Sequence, residues 1–150
     1  MTIGAGTGQV TFGGRSSYTL TSAGKTFNGG FTLDAPGGTM TLQDNLACGA
    51  TNVLVVTNGT FDANDKNVQT GLVNISGTGT RTVSMGNGTW TLTGTGNVWQ
   101  ASTTTNLTFN AENSLITINN ASASAKAFLG GSLTYHDFIF TGAGSGVLTV

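Results

Sequence analysis

Charge, proline, cysteine and histidine are all scarce in this sequence, and each scarcity excludes something. Asp, Glu, Lys and Arg make up 7% of its 150 residues, against about 25% in an ordinary soluble domain. Six acids stand against five bases, so no basic stripe exists to hold nucleic acid or an anionic membrane. A single cysteine, Cys48, rules out an internal disulfide and a thiolate metal cluster and leaves the redox compartment open. Its setting, NLACGATN, supplies no base to stabilise a thiolate, so Cys48 reads as a small semi-buried filler. No apolar run approaches the roughly 20 residues of a spanning helix, which argues against membrane insertion. The opening MTIGAGTGQV has neither a basic start nor an apolar central region, so no export signal is expected. Strong helix formers are also sparse. Only Ala121 to Leu129 tolerates a helical turn, and its serines suit a loop equally well.

What the sequence has in abundance is one short phrase: an apolar residue, a threonine, an apolar residue, then Gly or Asn. It reads YTL at 18–20, FTL at 31–33, MTL at 40–42, WTL at 90–92, LTF at 107–109, ITI at 116–118, LTY at 133–135 and LTV at 148–150. Strict alternation with β-branched threonine describes a short strand with one face buried. Clusters such as Asn28-Gly29-Gly30, Asn58-Gly59, Asn87-Gly88 and Gly94-Thr95-Gly96 supply the positive φ of tight turns. The one proline, Pro36, sits in Ala35-Pro36-Gly37-Gly38, where it opens a turn without removing a donor from a strand interior. The chain is therefore expected to be all-β.

Related phrases recur at about one coil's length. GTMTLQDN begins at Gly38, GTFDANDKN at Gly59 and GTRTVSMGN at Gly79, steps of 21 and 20. A strand-bearing period of this size points to a β-solenoid, a right-handed parallel β-helix whose inward residues stack coil on coil. Beyond Gly79 the steps shorten to 9 and 17, so either coil length varies or some phrases form different walls of one coil. The competing arrangement is an antiparallel β-sandwich or jelly roll, which also spaces short strands closely. Residues 1–150 show no composition shift and are expected to form one domain.

The segments GTFDANDKN, Thr89–Phe109 and Ser124–Gly146 resemble the Gly/Thr/Asn-rich repeats of phage and environmental virion structural proteins of the tail-fibre type, and more loosely the β-helical passengers of bacterial adhesins. This resemblance spans about residues 30–150 and implies a β-helical structural or attachment role in a virion or at a cell surface. It brings no catalytic residues.

The chemistry-bearing residues are few: Asp34, Asp44, Asp62, Asp65, Asp137, Glu112 and His136. Polysaccharide lyases and glycosidases need facing carboxylates, and nothing in the spacing suggests them. His136 and Asp137 would point to opposite faces as neighbours in a strand, and a turn or strand-end position is expected for them rather than a catalytic dyad. No serine has the setting of an activated nucleophile. Asp62, Asn64, Asp65 and Asn67 form the densest oxygen cluster. It admits a calcium ion, but it lacks the glycine and glutamate pattern of known calcium loops, so capping of its own turn is the plainer reading.

Thr19-x-Thr21, Thr39-x-Thr41, Thr80-x-Thr82 and the run Thr89, Thr91, Thr93, Thr95 match the threonine ranks of ice-binding β-helices, yet their uneven spacing argues against a flat matching face. The acceptor pattern Asn-x-Ser/Thr occurs at Asn58, Asn74, Asn87, Asn106 and Asn120, as expected by chance in so Asn-rich a chain, and no glycosylation is inferred. Trp90 is expected in the core. Trp99, after Gly96-Asn97-Val98, is expected either in the packing between coils or at an exposed corner where it would stack on a sugar. The sequence stops within a strand-like VLTV, and an uncapped solenoid end exposes edges that invite self-association as a homo-oligomer or filament, or continuation in a longer chain. The expectation is a non-enzymatic structural or attachment protein without cofactor. The alternatives are a carbohydrate-binding or polysaccharide-processing module, with a cell-surface glycan as its partner, and an ice-binding protein.

Overall fold

A computed structural model describes residues 8–142 and the strand at 148–149. Every strand pairing in it is parallel, which gives a β-solenoid and removes the sandwich and jelly roll, whose neighbouring strands run antiparallel. No helix occurs among the described residues. The stretch from Ala121 bends and then enters a strand at Lys126–Leu129.

The chain winds through three walls. The first holds β1 (Val10–Gly13), the first half of β4 (Phe31–Leu42), the first half of β6 (Val53–Asp62), β8 (Leu72–Asn74), β11 (Gly96–Gln100), β14 (Lys126–Leu129) and β16 (Leu148–Thr149). The second holds β2 (Tyr18–Leu20), the second halves of β4 and β6, β9 (Arg81–Ser84) and β12 (Leu107–Asn110). The third is a separate six-stranded sheet of β3 (Thr26–Phe27), β5 (Leu46–Cys48), β7 (Val68–Thr70), β10 (Thr89–Leu92), β13 (Leu115–Ile118) and β15 (Asp137–Phe140), one strand for each turn. The shortened steps after Gly79 follow from this: GTRTV lies in the second wall and GTWTL in the third wall of the same coil.

Coil length varies too. Thr60 faces Thr82, 22 residues on, whereas Thr82 faces Thr108, 26 on. The four added residues sit between the third and first walls, where Leu92 to Trp99 spans seven residues against three from Thr70 to Val73; one coil earlier three are added at the corner between the first and second walls, where β4 and β6 run through but later coils interpose a loop. Pro36 lies at the same corner, in the register break between Asp34 and Thr39, so it costs the ladder no donor. The textual match of Gly79 to Gly59 is offset: Gly59 pairs with Arg81. A two-residue slip keeps every side chain on its own face, which is why the alternation still reads correctly. The one phrase with no strand is LTY at 133–135, where the second wall loses its ladder in the last turn. Of LTV, Leu148 and Thr149 form β16, and Val150 lies outside the described residues.

Inward rows are apolar and aromatic. An unbroken chain of ring contacts runs along the axis through Phe12, Phe31, Phe61, Trp90, Trp99, Phe128 and Phe138, with centroids 4.9 to 6.4 Å apart. Each such pair adds roughly 0.5–1.5 kcal/mol beyond simple burial. All but the last of these contacts bridge from one coil to the next, so they couple turns that are otherwise separate strands.

Candidate functional site

The corner between the second and third walls gathers Asp and Asn side chains from successive coils, because the turn there repeats. Asp44 accepts from the Ser22 N–H at 2.7 Å and the Ala23 N–H at 2.7 Å, and from the Ser22 hydroxyl at 3.0 Å. The Ser22 backbone bond is the main reason that the Asp44 carboxyl is held below its ordinary value of 3.8. One coil on, Asn45 Oδ1 accepts from the Asn67 N–H at 3.0 Å, and Asn67 Oδ1 from the Thr89 N–H at 2.9 Å. Asp65 Oδ1 accepts from the backbone and side-chain amides of Asn87, and Asn87 Oδ1 from Asn113 Nδ2. The result is a polar ladder that ties each corner to the next.

The structure therefore brings Asp62, Asn64, Asp65 and Asn67 to one turn, with Asn64 and Asp65 in the left-handed region at φ 47° and 61°. Asp62 Oδ1 caps the Asn64 N–H at 2.9 Å, and Asn64 Nδ2 reaches the Leu42 carbonyl. These side chains are engaged in caps and in bonds between coils, the turn-capping arrangement. Among the described residues, no three His, Cys, Asp or Glu side chains converge as a metal site.

The structure bears on three of the expectations. Trp99 is 0% exposed. Its ring stacks on Phe128, and its indole N–H donates to the Tyr135 hydroxyl at 2.9 Å, so it has no free face for a sugar. The reason is that the corner lies beyond it: Val98 and Trp99 are both inward across an irregularity in the β11 register. His136 and Asp137 do meet, Nδ1 to Oδ2 at 3.3 Å, because His136 precedes β15 and escapes strand alternation. Both are well exposed, and the pair carries no buried partner that would make it a proton relay. Last, the threonine ranks are straighter than their spacing suggests. Thr39, Thr60, Thr82 and Thr108 stand opposite one another on the second wall. The adjacent row is mixed: Thr41, Asp62, Ser84, Asn110.

Carboxylates expected to be scattered are mostly so. Asp62 and Asp65 belong to the third coil, Glu112 to the turn before β13 in the fifth, and Asp137 to the sixth. Glu112 and His136 share a shallow cleft of about 320 Å³ with Phe109, Ala111, Thr134 and Tyr135. Cys48 is buried, and desolvation raises its thiol to about 11, which makes it inert as a nucleophile at neutral pH.

The residue that sequence reading missed is Arg81, 1% exposed. Its Nε donates to the Ile75 carbonyl at 2.7 Å, Nη1 to Gly79 at 2.8 Å and Thr105 at 2.9 Å, and Nη2 to Thr103 at 2.7 Å. Burial lowers its pKa. The signal was present in Thr80-Arg81-Thr82-Val83, where strict alternation sends Arg81 inward with Val83. Lys126 is likewise buried, its ammonium donating to the Ser122 carbonyl. Both cations serve loop carbonyls, and among the described residues no carboxylate is bonded to either.

No family model, curated protein or solved structure matches the chain.

Proposed function

We propose that this chain is a non-enzymatic structural or attachment element of a virion fibre, filament or surface appendage, acting as a stiff rod that associates with further copies. The observation that carries this reading is the investment of side-chain chemistry in joining one coil to the next. The Asp and Asn corner ladder, the axial aromatic chain and the two buried cations all bond backbone or neighbouring coils, and so serve length and rigidity. Such a surface, polar but with few charges, suits contact by shape more than electrostatic capture. Electron microscopy of the purified protein is expected to show rods or fibres. Isolated particles of one copy would count against the reading, as would cleavage of any polysaccharide in a panel that is lost in Glu112→Gln.

The row Thr39, Thr60, Thr82, Thr108 supports one second reading, contact with an ice surface, weakened by Asp62 in the neighbouring row. Inhibition of ice recrystallisation that disappears in Thr60→Lys would favour it.

A further inference from the structure

The outer face of the third wall carries a groove that neither the core nor the buried cations use. It has a volume of about 350 Å³ and is lined chiefly by Asn45, Ala47, Asn67, Gln69, Thr89 and Thr91. β5, β7 and β10 each have a paired strand on both sides, so the groove belongs to the middle of the stack and owes nothing to either end. Its dip follows from the sequence: the short side chain of Ala47 stands in an outward row between Thr26 and Gln69.

The polar groups of the groove are fixed in place and unused. Asn45 Oδ1 accepts from the Asn67 N–H and Asn67 Oδ1 from the Thr89 N–H, and an amide whose oxygen is held in this way presents its NH₂ group on the other side. Asn45, Asn67 and Thr89 follow one another at a coil's step of about 4.8 Å. Among the described residues, neither of those two Nδ2 atoms, nor the Gln69 carboxamide, nor the Thr89 and Thr91 hydroxyls is bonded to another side chain or carbonyl; Asn45, Asn67 and Gln69 are exposed, and the two hydroxyls are not buried orphans. These groups define the ligand. No lining side chain is ionisable, so an anion finds no arginine or lysine to pair with and a cation finds no carboxylate. Ala47 is too small a floor to hold an apolar molecule beside five amide and hydroxyl groups. The patch measures about 10 Å along the axis and about 7 Å along the strands, far short of the roughly 800 Å² that each partner buries in a stable protein complex. What matches is a neutral molecule with hydroxyls at its edges and C–H groups on its face, able both to donate and to accept, which is the chemistry of a sugar.

Resting on the attachment reading above, we infer that this groove is the attachment contact and that it binds a neutral oligosaccharide. The Asn45 and Asn67 NH₂ groups donate to its oxygens, the Gln69 carboxamide and the Thr89 and Thr91 hydroxyls exchange bonds with its hydroxyls, and Ala47 lies under its C–H face. The donors are held in position before the sugar arrives, which lowers the ordering cost of binding. No aromatic ring lines the groove, so a single site holds its sugar weakly. Attachment then relies on many copies along a rod, because linked sites raise the apparent affinity by about 10²–10⁴.

The full chain is applied to surfaces printed densely with maltotetraose, cellotetraose, mannotetraose and tetra-N-acetylchitotetraose as neutral probes, and with heparin and hyaluronan tetrasaccharides as acidic ones. At least one neutral probe should retain the protein at least tenfold more strongly than either acidic probe. Ala47→Tyr, which fills the groove, should cut that retention at least tenfold. Gln69→Ala, which removes an exposed side chain with no bond inside the fold, should cut it at least threefold. Thr108→Tyr, an added ring on the exposed face of the second wall, should change nothing. Tryptophan emission equal to the parent's shows that a variant is folded, and if Ala47→Tyr fails that check, Gln69→Ala decides. Retention by no probe, preference for the acidic tetrasaccharides, or retention that survives these substitutions overturns the groove as a sugar site. Rods seen by electron microscopy beside any of those results leave the scaffold reading standing, whereas isolated single copies that still bind a neutral probe through the groove remove the fibre and keep the site.

Discussion

Replacing Arg81 with Met keeps most of its apolar stem and removes all five N–H donors. Four carbonyls lose a partner: Ile75, Gly79, Thr103 and Thr105. Thr103 retains the Gly77 N–H at 3.0 Å, which leaves three to be satisfied by water or not at all. An orphaned buried acceptor costs about 1–3 kcal/mol, an upper range of roughly 3–9 for three. Against this, the variant no longer buries an unpaired cation, whose desolvation is several kcal/mol. The loop lies at the surface corner and water can reach part of it, so the net loss is expected at about 3–5 kcal/mol, among the larger single-substitution effects, which come from breaking buried hydrogen-bond networks. In a chain of this length that corresponds to a fall in melting temperature of about 10 °C or more. Urea and thermal unfolding followed by the emission of buried Trp90 and Trp99 will read it. Arg81→Lys should recover little, because one ammonium cannot span carbonyls on two coils. A Met variant as stable as the parent would refute the reasoning, since desolvation of the guanidinium would then have outweighed its four bonds.

Trp99→Ala removes a side chain that touches Phe128, Phe109 and Tyr135 and is expected to lose about 3–5 kcal/mol by denaturant titration; a loss under about 1 would contradict its place in the core. Gly59→Ala sets a Cβ 2.2 Å from the Ala35 carbonyl at φ 87° and should cost clearly more than Gly24→Ala, which meets nothing at φ 70° and bears only the left-handed penalty of about 1–2 kcal/mol. Comparison of the two midpoints decides it. The pH profile of stability should fall at both ends. Asp44 has its folded pKa lowered, so its contribution is present above the ordinary value and is lost as pH falls through the folded one. Cys48 and Tyr135 are raised by burial to about 11 and about 12, so their contribution is whole below the unfolded values and declines as pH rises above about 9 to 10. A melting temperature unchanged from pH 8 to pH 11 would show that these two groups are not buried as described.

The alternation of apolar residue and threonine was sufficient to mark nearly all the strands and which side of each faces inward, because side-chain direction in a strand has a period of two and needs no knowledge of partners. The Asn-Gly and Asp-Asn clusters likewise marked the corners, since turn geometry is local. Partners were another matter. Gly79 reads as the mate of Gly59, yet Arg81 takes that place, because the loop between the first and second walls absorbs added residues without any mark in the text. Residues added at the corner between the third and first walls likewise keep Thr39, Thr60, Thr82 and Thr108 in one row despite their uneven spacing. Trp99 packs between coils as expected, but composition could not show the register irregularity that turns two successive residues, Val98 and Trp99, inward. LTY at 133–135 carries the strand phrase but no ladder, since a strand needs a neighbour as well as a propensity. Local pattern thus determined face and turn by itself. Only the stacking of coils decided register and which residues line up in rows, because these depend on contacts between residues about twenty or more apart.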